Sequence, residues 1–432
     1  MKWFSQLDNQ QEQEGGRMKR KLLASLISAA VCQPVLAAEI SDYVRFSGFG
    51  TLGIVHSSDK DADFRGNIEQ STGAGRTNTH DSGVDSVFGA QADVQFMQNL
   101  TGTAQLVTRR LSDYNSTRPY FEWANIKYQA TRDLSVRAGR VVAPVFMISD
   151  SRMVGYAQTM VRPPEEVYFI NPITYVNGGD INYKFAAGPV LYKVGATIGK
   201  LNQTLVNNAG TFSYKFNAKL VNGAAEYNGS TLRLGYGRVD LTAKADALDL
   251  YDKGMSTLVA AGVPNASTIQ DNTNHTDNPV DMYMLGYVYD KNEWLLQSEY
   301  VSRKSRSDLV LDLDGFSLMG GYRVGKWTPF MGYAHMSTKN PVILPPLNTS
   351  SLPPGQAGII NALNATYQMR NNRTTWSLGT RWDVIDNVAL KVQVDRTDKE
   401  KGDTGLFVNS TPEFNNNDRK INVFSATLDF VF

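Results

Sequence analysis

From Ser41 to Phe432 the sequence alternates apolar and polar residues in short runs, the period of two that belongs to β-strands with one apolar and one wet face. The last run, INVFSATLDFVF, is the clearest. Phe424, Ala426, Leu428, Phe430 and Phe432 share one parity, and Ser425, Thr427 and Asp429 share the other with Val423 and Val431. A strand of this kind at the carboxyl end of a soluble sheet would present an open, aggregation-prone edge. Closing that edge on the first strand removes the problem, so Phe432 reads as the seam of a barrel.

The same pattern predicts sixteen strands, at 43–56, 84–97, 100–109, 119–129, 134–142, 178–186, 190–199, 216–227, 231–241, 280–290, 293–303, 315–324, 327–336, 373–383, 388–397 and 420–432. Short connections such as Gln98-Asn99, Ala187 to Pro189 and Lys291-Asn292 alternate with long ones at 57–83, 143–177, 242–279 and 337–372. Short periplasmic turns and long extracellular loops are expected of an outer-membrane barrel, and an even strand count puts both termini on the periplasmic side. A propeller would repeat its motif at a fixed period, and the chain shows none. A sandwich gives no reason for the two kinds of connection to alternate. The fold class expected is therefore all-β: a transmembrane antiparallel barrel of about 16 strands.

Parity assigns the faces. Val44, Phe46, Leu52 and Ile54 are expected outward and Arg45, Ser47 and Thr51 inward; Leu232, Leu234 and Tyr236 oppose Arg233, and Trp376, Leu378 and Trp382 oppose Arg381. Tyr128, Trp294, Tyr322, Trp327, Trp382 and Phe432 stand beside short turns and read as a periplasmic aromatic girdle.

Composition sharpens this picture. No run approaches the roughly 18 to 20 apolar residues of a membrane helix. A mean hydropathy of −0.31 with 20% charged residues is compatible with strands that show only half their residues to lipid. Met18 to Lys21 is basic, Leu22 to Val31 is apolar, and small residues precede a cleavage point near Ala37 or Ala38, so 18–38 reads as a secretory signal and 39–432 as the barrel. Residues 1–17 do not belong to a signal and read as an upstream extension from a start assigned too early. The chain from Glu39 onward carries 38 basic and 39 acidic side chains, and this near-neutrality gives no reason to expect a nucleic-acid partner. Cys32, the only cysteine, lies within the signal.

The connection 143–178 differs from the other long ones in being apolar, with Val145, Phe146, Met147, Ile148, Val154, Tyr156, Met160 and Val161. Folding back into the barrel gives these side chains a surface to pack on. Asp150, Arg152, Arg162, Glu165 and Glu166 are then candidates for a constriction, facing Arg45, Arg137, Lys184 and Arg233 on the wall and Arg140 at the strand-to-loop bend. Inward parity as a whole collects twelve basic residues, adding Arg109, Lys127, Lys193, Arg303, Arg323, Arg381 and Lys391, against Asp93, Asp180, Glu226, Glu299, Asp395 and Asp429. This balance predicts a modest preference for small anions.

Other motifs carry less. Gly48, Gly50 and Gly53 fit G-x-G-x-x-G but lie within a strand with no helix after it, and are better read as allowing close strand or subunit packing. Asp59, Asp61 and Asp63 begin like a calcium loop, but Phe64 and Gln70 stand where Gly and Glu are needed. His56, His80, His275 and His335 have no ligand spacing, so neither a metal nor a cofactor is expected.

The export signal, the Gly-rich first strand FSGFGTLGI, the GR-x-x-x-P stretch at Gly139 to Pro144 and the terminal aromatic strand ending in Phe432 together resemble the Gram-negative outer-membrane porins. The resemblance implies a homotrimeric general-diffusion channel in the outer membrane for small hydrophilic solutes and ions, in contact with membrane lipid and lipopolysaccharide. It further implies that the third loop narrows the pore and that Phe432 is part of the signal read by the outer-membrane assembly machinery. The family's PEF loop motif is absent, RPPEEV at Arg162 to Val167 being nearest. A solute-specific channel is one alternative function and a barrel enzyme another; no G-x-S-x-G elbow supports the latter.

Overall fold

The computed structural model describes residues 43–432 except 112–116, 208–209, 309, 342–343, 368–369, 404 and 406, so the extension 1–17, the signal 18–38 and Cys32 lie outside the described residues. Sixteen long strands make up the barrel. They are β1 (Val44–Ser57), β2 (Val87–Met97), β3 (Leu100–Arg109), β4 (Tyr120–Gln129), β5 (Leu134–Val142), β6 (Tyr175–Ala187), β7 (Val190–Asn207), β8 (Gly210–Tyr227), β9 (Ser230–Lys244), β10 (Asn278–Lys291), β11 (Trp294–Ser305), β12 (Leu313–Tyr322), β13 (Trp327–Thr338), β14 (Arg373–Ile385), β15 (Val388–Lys399) and β16 (Arg419–Val431). Each pairs antiparallel with its sequence neighbours, and β16 pairs with β1 from Phe49↔Val431 to Ser57↔Val423, which closes the sheet. Closure leaves no edge ladder in the membrane, where an unpaired backbone group could find no partner.

The observed strands match the predicted count and, within a few residues, most boundaries. The largest difference is the hairpin β7–β8, which runs on to Asn207 and Gly210. The added stretch is rich in Asn, Gln and Thr, so pairing continues where hydrophobic alternation has stopped.

Alternation sorts the faces as the pattern predicts. Ile54, Leu234, Leu378, Val392 and Phe424 are exposed on the outside, while Thr51, Ser377, Lys391, Ser425 and Asp429 are buried within. At the end of the barrel with the short turns, Trp294 and Tyr322 meet edge-on at 4.8 Å and Trp327 stacks on Trp382 at 5.1 Å on the outer face. The seam shows what the β1 glycines do. A Cβ on Gly48 would lie 2.3 Å from the Phe432 ring, and one on Gly50 would lie 2.3 Å from the Phe430 ring. These glycines therefore admit the last strand's aromatics against the first strand, a task within one chain rather than between subunits.

The loops build a cap at the opposite end. Residues of loops 1 and 8 share a small sheet, Asp63–Phe64 between Ala74–Gly75 and Phe407–Val408, over a core that includes Val55, Phe64, Phe414 and Ile421. Helix α2 (Asp246–Ala260) packs on α4 (Pro354–Tyr367) through Leu248, Tyr251, Met255, Leu258 and Ile360, with the short α3 (Ala266–Asn272) alongside; α1 is the single turn Glu165–Tyr168 in loop 3.

Candidate functional site

Residues 143–174, the third long connection, meet inward-facing side chains of many strands. Val145, Phe146, Val167, Tyr168, Ile170 and Ile173 pack in one core with Leu201, Leu220, Val239, Met282, Met284, Val301, Leu313 and Met336 of β7 to β13. Burying an aliphatic or aromatic side chain of this size contributes roughly 1.5–3 kcal/mol, whereas a buried ion pair gains little net of the cost of desolvating its two charges, although removing one partner is costly. Apolar contact is thus the main attachment, and polar contacts fix its position.

Those polar contacts are mostly wall cations donating to loop carbonyls, which must find partners once buried. Lys391 Nζ donates to Gly155 O at 2.7 Å and Met160 O at 3.1 Å, and Arg381 donates to Tyr156 O at 2.6 Å with its guanidinium 4.7 Å above the Tyr156 ring. Arg303 reaches Ile170 O at 2.8 Å, and Arg233 reaches Met147 O at 3.4 Å and Pro144 O at 3.5 Å. Glu299 accepts from Met147 N at 3.0 Å and Tyr168 OH at 2.5 Å.

Among the sequence candidates, Arg162 and Glu166 need correction as residues facing an opening. Arg162 is buried between Asp85 at 2.7 Å and Asp395 at 3.0 Å, and also donates to Ser425 Oγ at 2.5 Å. Glu166 accepts from Arg373 at 3.2 Å and Thr375 at 2.6 Å. Both are staples between loop and wall, because a charge on a buried loop must meet its opposite. Arg152 is likewise held within the loop, by the carbonyls of Tyr168 and Asn171 at 3.2 Å each and beside the stacked rings of Phe146 and Tyr168, whose centroids are 5.4 Å and 5.3 Å from its guanidinium. Glu165, at the start of α1, has a carboxyl oxygen with no partner; burial pushes this carboxyl well above its ordinary range, against the opposing pull of Arg162. Asp150 is exposed on the 3-10 turn Ser149–Ser151.

Arg140 is corrected by register. Ala124, Arg140, Asn177 and Lys200 stand opposite one another across β4 to β7, in the same parity as the exposed Ala138 and Ile198, so Arg140 is on the outer face. There it donates to Asn177 Oδ1 at 2.9 Å and lies 4.1 Å from the Tyr175 ring. Arg323 also departs from the predicted wall: it follows the end of β12 and pairs with Asp290 at 2.7 Å beside the short turns.

The remaining inner wall is open. A cavity of about 590 Å³ toward the end with the short turns is lined by Arg45, Gln91, Asp93, Thr103, Trp123, Asn125, Lys127 and Arg137. Arg137 is paired with the buried Asp180 at 2.7 Å, while Arg45 is 73% exposed and only 4.0 Å contact joins it to Asp93. Lys127 is exposed, and Lys184 is exposed opposite Lys193, which itself pairs with Glu226 at 2.6 Å. At the other end, Glu69 of loop 1 pairs with Arg109 on β3 and accepts from Gln203 on β7 at 2.5 Å, so a first-loop side chain bridges two separate parts of the wall. Nothing in the sequence marks Glu69 for this, since the contact depends on the path of an irregular loop. The acidic run is also spoken for: Asp59 accepts from Asp61 N, Asp63 holds Thr77 and Asn409, and Arg419 lies 2.8 Å from Asp61.

This architecture recurs in solved structures. The outer membrane channel DcaP of Acinetobacter baumannii superposes with a TM-score of 0.53 at 10% identity, covering 91% of this chain and 99% of that one. The chain has the fold of an outer-membrane barrel. An anion-selective porin from Comamonas acidovorans gives a TM-score of 0.52 at 12% identity over 90% of this chain and 99% of its own. OmpT of Vibrio cholerae gives 0.51 at 13% over 93% and 100%. No protein-family model and no curated protein matches the sequence, so the likeness is one of fold.

Proposed function

We propose that the chain is an outer-membrane porin, a water-filled channel for passive diffusion of small hydrophilic solutes and ions, with the third loop narrowing the lumen. The observation that carries this reading is the division of the inner wall: residues 143–174 are packed against β7 to β13 and bonded to β14 to β16, while the wall of β1 to β5 keeps a polar cavity of about 590 Å³. The exposed Arg45, Lys127 and Lys184, with Arg137 beside them, support a modest preference for anions. Export by the signal at 18–38 and recognition of Phe432 by the assembly machinery complete the route to the membrane.

A homotrimer fits the outer face near the seam, where an apolar groove is lined by Ile54, Leu378, Gly379, Val392, Phe424 and Ala426. Purified protein in planar bilayers is expected to give stepwise currents in multiples of three, and cross-linking is expected to yield trimers. A silent protein overturns the channel, and single unit steps with a monomeric cross-linking pattern overturn the trimer alone.

A further inference from the structure

The four histidines stand far apart in the sequence, and the fold brings two of them together. His56, on β1 in the parity of the exposed Ile54, is directly opposite His80 of the two-residue strand His80–Asp81 in loop 1. Directly opposed residues on antiparallel neighbours have Cβ atoms about 4.5–5.5 Å apart, and here the two imidazole centroids are 4.8 Å apart with their planes 30° from parallel. Phe424 of β16 flanks His56 on its other side, with ring centroids 6.2 Å apart. Both histidines border the outer groove beside the seam, at its loop end. His275 and His335 are engaged elsewhere, by Asp252 at 3.2 Å and by Thr374 at 2.9 Å.

Hydrogen bonding leaves this pair with lone pairs to give. His56 Nδ1 lies 2.8 Å from the Thr79 carbonyl, which can only accept, so Nδ1 carries the hydrogen and Nε2 of the neutral ring keeps its lone pair. Anchoring one ring nitrogen on a carbonyl while the other faces a cation is how metal-binding imidazoles are oriented. His80 is exposed and, among the described residues, makes no hydrogen bond, so its ring can turn either nitrogen toward His56. An ion about 2.0–2.1 Å from one nitrogen of each ring sets the two centroids roughly 4.5–5.3 Å apart for bond angles from about 90° to 109°. The observed 4.8 Å lies within that range. Asp81, next to His80, is taken by Arg110 at 2.7 Å and supplies no ligand. Two imidazoles without a carboxylate favour Zn²⁺, Ni²⁺ or Cu²⁺ over Ca²⁺ and Mg²⁺, which take oxygen ligands.

We propose that His56 and His80 chelate a late first-row divalent cation, Zn²⁺, Ni²⁺ or Cu²⁺, with water completing its coordination. The ion joins loop 1 to the barrel wall at the seam, and because it binds the paired strands and not the separated ones it stabilises that junction. The inference depends on the fold and goes beyond the channel reading.

The test titrates the purified, untagged full chain in neutral detergent with Ni²⁺ in a calorimeter. The expected result is one ion per chain, with affinity about ten-fold or more lower in H56Q and in H80Q, and release of the ion as pH falls from about 7.5 to about 5, because imidazole ligates only when deprotonated. Saturating Ni²⁺ is expected to raise the midpoint of heat modification in the wild type and to leave that of H56Q/H80Q where it was. H275Q/H335Q is expected to bind like the wild type, and excess Ca²⁺ is expected not to displace Ni²⁺. Binding by H56Q/H80Q equal to the wild type, loss of binding in H275Q/H335Q, or displacement by Ca²⁺ each overturns the proposal. Without metal, H80Q is expected to match the wild type in heat modification, so its loss of binding is not a loss of folding. Conductance is expected to be unchanged in H56Q/H80Q, so failure of the metal site and failure of the channel are read separately.

Discussion

Two parts of the inner wall carry similar charges and use them differently. On β9 to β16, Arg233, Arg303, Arg381 and Lys391 point inward and are consumed by loop carbonyls or by Asp429, 3.1 Å from Lys391. On β1 to β6, Arg45, Lys127 and Lys184 point inward onto open space. A count of lumenal cations therefore overstates the field that a passing ion meets: many of them belong to the attachment of a loop. What decides the matter is whether an apolar segment lies against the wall, because desolvated carbonyls capture any donor within reach.

The largest expected effect comes from breaking the attached part. Arg162→Ala leaves Asp85 and Asp395 buried without their partner, a loss of about 3–5 kcal/mol. The loop should detach at its far end, seen as larger and noisier single-channel currents and as a lower temperature for the gel-mobility shift. Currents and mobility like those of the wild type would show that Arg162 is not a staple.

Charge reversal on the open part should act on ions alone. R45E/K127E is expected to move reversal potentials toward cations at about 0.1 M salt, where the screening length is about 10 Å, and much less at about 1 M, where it is about 3 Å. Heat stability should not change, because both side chains are exposed. A stability loss equal to that of the Arg162 variant would erase the distinction between the two regions.

A smaller effect is expected from pH at the loop end of β14. Burial raises the Asp403 carboxyl to about 6, while Arg373 and Lys399 pull it down. A carboxyl raised in the folded state binds its proton more readily there than in the unfolded chain, so its contribution to stability falls as pH rises from about 4 to 6. The midpoint of heat modification should therefore decline over that window more steeply in the wild type than in Asp403→Asn. Parallel profiles would mean that Asp403 is solvated. The smallest effect is a predicted absence: Arg140→Glu, on the outer face, should leave ion preference as it is, and a shift like that of R45E/K127E would return Arg140 to the lumen.

Strands and faces were legible because hydrocarbon outside and water inside impose a period of two, and Trp376, Leu378 and Lys391 each fall where that period puts them. Arg140 was misread because it sits where the strand meets the loop, and only its alignment with Ala124 and Asn177 fixes its side. The roles of Arg162 and Glu166 were hidden for a different reason: their partners Asp395 and Arg373 are more than 200 residues away, and no period connects a loop to a distant wall. Helix α4 was hidden because the Pro-rich stretch before it reads as loop. Its Ala, Ile and Leu after Pro353-Pro354 were the available signal.

The keyed joint at Gly48 and Gly50 also constrains the order of events during folding. The rings it receives belong to Phe432 and Phe430, so the joint cannot be made until β16 has arrived. If those ends met first, closing a loop of this length would cost several kcal/mol of chain entropy, growing with the logarithm of length. If neighbouring hairpins form first, fourteen intervening strands have already brought the ends together and the remaining search is short. The two small residues thus act as a register check: β1 keeps a bare edge with two notches in it, and only β16 in register can fill them.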